Sequence, residues 1–163
     1  MKIELNDKAI YDEMLALTGL RLAVRSDSAQ GRCLLLTADM LPGLRNMIRL
    51  MFAETVLELT PMVEGCEMDA EDTEATHPYD ADSGTLQLQL QTAEEHPSGL
   101  ALAAKRQCEH IVAAKVLEAL ATDRDNSFAT MLHREHTAAI EALRGVLESA
   151  GSAGGARIEP RWY

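Results

Sequence analysis

Between Pro97 and Ala150 the apolar residues fall on two long stripes separated by one short polar stretch, and few folds accommodate that pattern. Leu100, Ala101, Ala104, Cys108, Ile111, Val112, Val116 and Leu120 recur mostly at three- and four-residue steps, the spacing of one helix face. Thr122-Asp123-Arg124-Asp125-Asn126-Ser127 then brings in residues that favour turns and N-caps. Phe128, Met131, Leu132, Ile140, Leu143, Val146 and Leu147 resume the stripe. Two amphipathic helices joined by so short a connection fold back as antiparallel neighbours, packed along their apolar faces. At 1.5 Å per residue each rod is about 35 Å long.

The remaining composition agrees with helix packing. Apolar residues make up 47% of the 163 and aromatics only 4%, so the core is aliphatic. That suits closely packed helices better than a β-sandwich. The net charge of −11 opposes non-specific binding to nucleic acid or to an anionic membrane surface. Partners are therefore expected to be proteins before polyanions. Cys33, Cys66 and Cys108 are odd in number and never spaced as CxxC, which favours a reducing compartment. The first residues lack the apolar run of a signal peptide, and no stretch is long and apolar enough to span a membrane. The expected location is cytoplasmic.

Lys2-Ile3-Glu4-Leu5 alternates as a short strand would, and Asn6 is placed to cap a helix with Ile10, Met14, Leu15 and Leu17 on its apolar side. That helix ends near Gly19 or runs on to Val24, and residues 26–31 form a loop. Cys33-Leu34-Leu35-Leu36 reads as a strand or as an apolar lead-in. Thr37 or Asp39 caps the next helix, the later start being favoured by Pro42, and Pro61 ends it. Its apolar residues, among them Leu41, Leu44, Met47, Ile48, Met51 and Phe52, cover more than half the circumference. Such breadth marks either a central helix or one that meets another subunit.

Residues 64–82 then form an acidic loop without Lys or Arg. Leu86, Leu88 and Leu90 alternate with Gln87, Gln89 and Gln91, the cleanest strand signal in the chain. Its partner is Ile3–Leu5, the 21–25 stretch, the 33–36 run or a neighbouring subunit. The fold class is mainly α: a four-helix domain over 1–150, dominated by the C-terminal hairpin, with a minor short β element. Residues 151–163 read as a glycine-rich tether and a C-terminal arm.

Chemistry is sparse. His133 and His136 stand i, i+3 on one helix and can aim two imidazoles at one ion. Yet HExxH is absent, and the facing helix offers Cys108, Glu109 and His110 as completions. His136 also lies on the Leu132–Ile140 stripe, where a hydrogen-bonded, partly buried histidine is ordinary. Asp80 to Gly84 hints at a calcium loop but fails the EF-hand template, which favours a solvated acidic linker. Cys108, inside a helix, reads as a buried and inert thiol. No nucleophile elbow, phosphate loop or basic aromatic groove is present, and no cofactor is expected. The arm is different: Arg157, Arg161, Trp162 and Tyr163 are residue types enriched at interface hot spots, so they are expected to bind a partner.

In order, the chain reads strand, helix, a second helix beginning near Leu36-Thr37-Ala38-Asp39-Met40-Leu41, acidic loop, the strand Leu86-Gln87-Leu88-Gln89-Leu90, then a long helical hairpin with a basic tail. This order resembles small proteins from the structural-gene clusters of tailed phages and prophages, particularly those of gut Bacteroides-type bacteria. It is also similar to helical head–tail connector, or adaptor, proteins. The resemblance implies a non-enzymatic virion-neck component that packs against copies of itself and neighbouring virion proteins, through the 40–60 helix and the 157–163 arm. It implies location in the host cytoplasm and the virion. The alternative is a metal-dependent helical-bundle enzyme using His133, His136 and His110.

Overall fold

The structure is a computed structural model that describes residues 2–24, 36, 37, 39–59, 79, 80, 84–89 and 98–152. In chain order these form β1 (Lys2–Asn6), α1 (Asp7–Val24), α2 (Leu41–Glu58), β2 (Tyr79–Asp80), β3 (Thr85–Gln89), α3 (Ser98–Ala121) and α4 (Asn126–Ser152). The fold is mainly α, with a small antiparallel sheet.

The hairpin turn is made by the residues that signalled it. Asp125 sits between α3 and α4, and its Oδ1 accepts the Phe128 N–H at 3.2 Å and the Ser127 hydroxyl at 2.8 Å. This is N-cap chemistry: a short side-chain acceptor satisfies a donor that the first helical turn leaves open. Arg21 from the last turn of α1 reaches the same corner. Its guanidinium donates to Ser127 Oγ at 2.6 Å and stands 5.7 Å from the Phe128 ring centre. The N-terminal helix is thereby tied to the connection it packs beside.

The centre of the molecule is α3. Every residue from Ile111 to Leu117 is buried, with α1, α2, α4 and β1 packed around the helix. Ile111, Val112, Val116 and Leu117 are fully enclosed, each burial stabilising by about 1.5–3 kcal/mol. Ala113 and Ala114 fill the sides where neighbouring elements come close. The breadth of α2 therefore does not mark the central helix. Leu44, Ile48, Phe52 and Val56 face the core, while Leu50 and Leu57 are 58% and 62% exposed. Alanines hid the central role of α3, because they contribute little to a hydropathy stripe and pack well on every side.

One buried cation belongs to this centre. Lys115, only 6% exposed, places Nζ 2.6 Å from Glu58 Oε1 at the end of α2. Arg144 of α4 donates to the Glu58 carbonyl at 3.2 Å. Two cations thus hold the C-terminal end of α2, where the helix dipole favours positive charge.

The sheet has the order β1-β3-β2, antiparallel throughout. Its register sets Ile3 opposite Leu88 and Leu5 opposite Leu86, so Ile3–Leu5 is the intramolecular partner of the alternating strand. Ile3, Leu5 and Leu86 are buried. Asn6 caps α1 as expected, its Oδ1 accepting the Lys8 N–H at 2.9 Å, and α1 runs the full way to Val24.

Several expectations change. The α2 cap is Met40, with no side-chain bond; the Thr37 hydroxyl donates to the Asp39 carboxylate instead, and Pro42 occupies the first turn. Tyr79 and Asp80, read as acidic loop, form the edge strand β2, since two backbone pairings with Leu86 and Thr85 need no side-chain alternation. Gly151 and Ser152, read as tether, extend α4. Val146 is 38% exposed although it lies on the apolar stripe. The 26–31 loop, Cys33–Leu35, Pro61, residues 64–78 of the acidic stretch, Leu90–Thr92 and the 153–163 arm lie outside the described residues.

Gly84 joins sheet and helix. Its φ of 66° suits glycine, its carbonyl accepts the Asp7 N–H at 2.9 Å, and a Cβ there would stand 2.4 Å from Asp7 Oδ1. Asp7 is buried and ion-paired with Arg45, its Oδ2 2.8 Å from Nε, so it has nowhere to retreat without losing that pair. We expect Gly84→Ala to lower the free energy of urea unfolding by about 2–3 kcal/mol. A loss too small to measure would show that this junction is not tight.

Candidate functional site

The hairpin register decides which side chains meet across α3 and α4. Gln107 Nε2 reaches the Ala139 carbonyl at 3.4 Å, so the N-terminal half of α3 faces the far half of α4. Glu118, four residues before the turn begins at Thr122, lies level with the early turns of α4. Cys108, Glu109 and His110 are displaced from Glu118 by about 12–15 Å along the helix axis. Glu109 and His110 face a separate cleft beside α1 and Cys108 is enclosed in the core, so none of the three joins His133 and His136. The completing residue is Glu118.

His133 Nδ1 stands 3.1 Å from Glu118 Oε1, and His136 Nε2 stands 2.9 Å from Glu118 Oε2. The two histidine nitrogens are 3.3 Å apart, with their rings edge-on at 84°. Three potential ligand atoms, one from each residue, lie within 4.8 Å of one another. His133 is exposed, His136 buried, and Glu118 between the two. Burial holds the His136 imidazolium below its ordinary pKa, the Glu118 carboxylate pulls the other way, and the Lys115 ammonium adds to the depression. His136 Nδ1 is buried without a hydrogen-bond partner among the described residues.

These groups open on a cleft of about 310 Å³ between α2, α3 and α4, to which Glu54, Glu58 and Lys115 also contribute. His110 occupies a different cleft. Its Nδ1 lies 2.8 Å from Glu13 Oε1 of α1, with Arg106 and Glu109 nearby. Burial pushes the Glu109 carboxyl up, opposed in part by Lys105. His110 is therefore removed from the candidate metal set, and His133 and His136 gain a carboxylate.

The outward side of α2, a helix whose apolar breadth already allowed a subunit contact, is a second feature. Gly43, Asn46, Leu50, Ala53 and Leu57 are all exposed. They are spaced by alternating steps of three and four, the seam spacing of a coiled coil. At 3.6 residues per turn this seam lies opposite the buried Leu44–Ile48–Phe52 side. No charged residue falls on it.

Arg157, Arg161, Trp162 and Tyr163 lie outside the described residues, as do Asp82 and Ser83 of the acidic stretch. Among the described residues no helix is long and apolar enough to cross a membrane. Comparison with known proteins matched no family model, no curated protein and no solved structure.

Cys108 is enclosed in the core, and burial pushes its thiol up to about 12, with the Glu109 charge adding to the shift. At pH 8 so little thiolate is present that modification slows on the order of 1,000-fold relative to an ordinary thiol. In a Cys33→Ser/Cys66→Ser variant we expect no reaction with a thiol-titrating disulfide reagent in the native state and one thiol after denaturation. Prompt native-state reaction would contradict the burial.

Proposed function

We propose that this chain is a non-enzymatic assembly protein that packs against copies of itself, in the class of tailed-phage or prophage neck components. The observation that supports self-association is the exposed seam of α2. An isolated surface leucine is unremarkable, but Leu50 and Leu57 stand two turns apart on a face without charge. Between and beyond them, Gly43, Asn46 and Ala53 are small enough for a second helix to approach closely. Asn46 is the residue type that fixes register in such seams. The virion-neck assignment rests on the resemblance of element order in the sequence.

The net charge of −11 fits this reading in one further respect. Copies that repel at long range associate only where a neutral face excludes water, which suppresses indiscriminate aggregation.

Sedimentation velocity tests the proposal. The wild-type chain should run at a multiple of 17.8 kDa, and Leu50→Glu/Leu57→Glu should run as a monomer with unchanged helical circular dichroism. A wild-type monomer across the whole concentration range, or an assembly indifferent to the double substitution, would remove α2 from the interface. The phage class is tested separately by gene neighbourhood: portal, capsid or tail genes on either side are expected, and an operon of metabolic enzymes would contradict it.

A further inference from the structure

We propose that Glu118, His133 and His136 form a binding site for a divalent transition-metal ion of the zinc type, bridging α3 and α4 beside the hairpin turn. The site is independent of the assembly reading, since none of its ligands lies on the outer seam of α2.

Geometry carries the proposal. The polar atoms that converge are His133 Nδ1, His136 Nε2 and the two Glu118 oxygens, with separations of 3.1, 2.9 and 3.3 Å. Ligand atoms held at about 2.0–2.1 Å from one tetrahedral ion are about 3.3 Å apart. One ligand atom from each of the three residues lies within 4.8 Å of the others, so side-chain rotations bring the set onto one face of such a tetrahedron. Two imidazoles and a carboxylate are the borderline ligands that suit Zn²⁺, Co²⁺ or Ni²⁺. The fourth position opens on the cleft, where water or another group can enter.

Charge points the same way. Glu54, Glu58 and Glu118 bring three carboxylates to the cleft and Lys115 one ammonium, a net of −2 from these four side chains. A divalent cation neutralises it. The Lys115–Glu58 pair, at 2.6 Å, keeps the ammonium directed at α2.

One feature limits affinity. A metal on His136 Nε2 leaves the proton on Nδ1, which is buried and has no acceptor among the described residues. Loss of such an outer hydrogen bond typically weakens metal binding by about 10–100-fold. The site should consequently bind more weakly than closed structural zinc sites. Two of its ligands lie on α4 and one on α3, so binding fastens the two rods together and raises the melting temperature.

The test uses the full-length chain stripped with EDTA, titrated calorimetrically with ZnCl₂ and followed by thermal melting and by the visible spectrum with Co²⁺. We expect one ion per chain, a zinc-dependent rise in melting temperature and the intense visible absorption of tetrahedral Co²⁺. His133→Ala, at an exposed position, and Glu118→Gln should keep the helical circular dichroism. Each should weaken binding by more than the ~100-fold of an outer-shell defect and abolish the thermal shift. His110→Ala should bind like wild type. No binding by the wild-type chain, or binding and thermal shift unchanged by His133→Ala and Glu118→Gln, would overturn the site and assign any residual zinc to other residues.

Discussion

Burial of the middle of α3 is the constraint on which the remaining elements depend. Seven consecutive residues, Ile111 to Leu117, are enclosed, and no helix achieves that against a single neighbour. Covering the whole circumference requires α4 on one side, α1 and α2 on others, and the sheet through β1. The one charged residue in that stretch, Lys115, then requires an anion, and Glu58 supplies it from the last turn of α2. Removing Glu58 costs more than the pair itself contributes, because the Lys115 ammonium stays buried. The position of α2 is thus fixed by electrostatics at its end and by Leu44, Ile48, Phe52 and Val56 along its length.

Much of this was legible in the sequence because local and global preferences coincide. The hairpin could be read from its two stripes and from Asp125, whose short carboxylate both ends one helix's turn and caps the next. The β1–β3 pairing was among the options that alternation allowed, and Ile3 and Leu5 are in fact its buried residues. What could not be read is which helix is central. Apolar breadth left α2, where Leu50 and Leu57 face outward, as either a central or an interface helix, and did not single out α3, whose alanines carry little signal. A pattern records which residues are apolar, whereas centrality depends on how many elements surround them.

The histidine cluster shows the same division. The i, i+3 spacing of His133 and His136 was visible, and the third member was not, since Cys108, Glu109 and His110 were the residues considered across the hairpin. Counting outward from the turn at 122–125 pairs Glu118 with Ala129 and does not find it. Side chains lean toward the N-terminus of their own helix, so Glu118 leans away from the turn while His133 and His136 lean back toward it, and His110 turns instead to Glu13. Helix α2 presents Glu54 and Glu58 to that cleft and its uncharged seam to the outside. The proposed metal ligands lie on α3 and α4 and the proposed self-association seam on α2, so the two share no residue.

Native-state hydrogen exchange measures the centrality of α3 most directly. Amides from Ile111 to Leu117 should exchange only through global unfolding, with a free energy equal to that from urea denaturation and higher than in any turn of α1 or α2. Exchange of those amides through a cheaper local opening, while α2 remained protected, would show that the molecule is organised around a different helix.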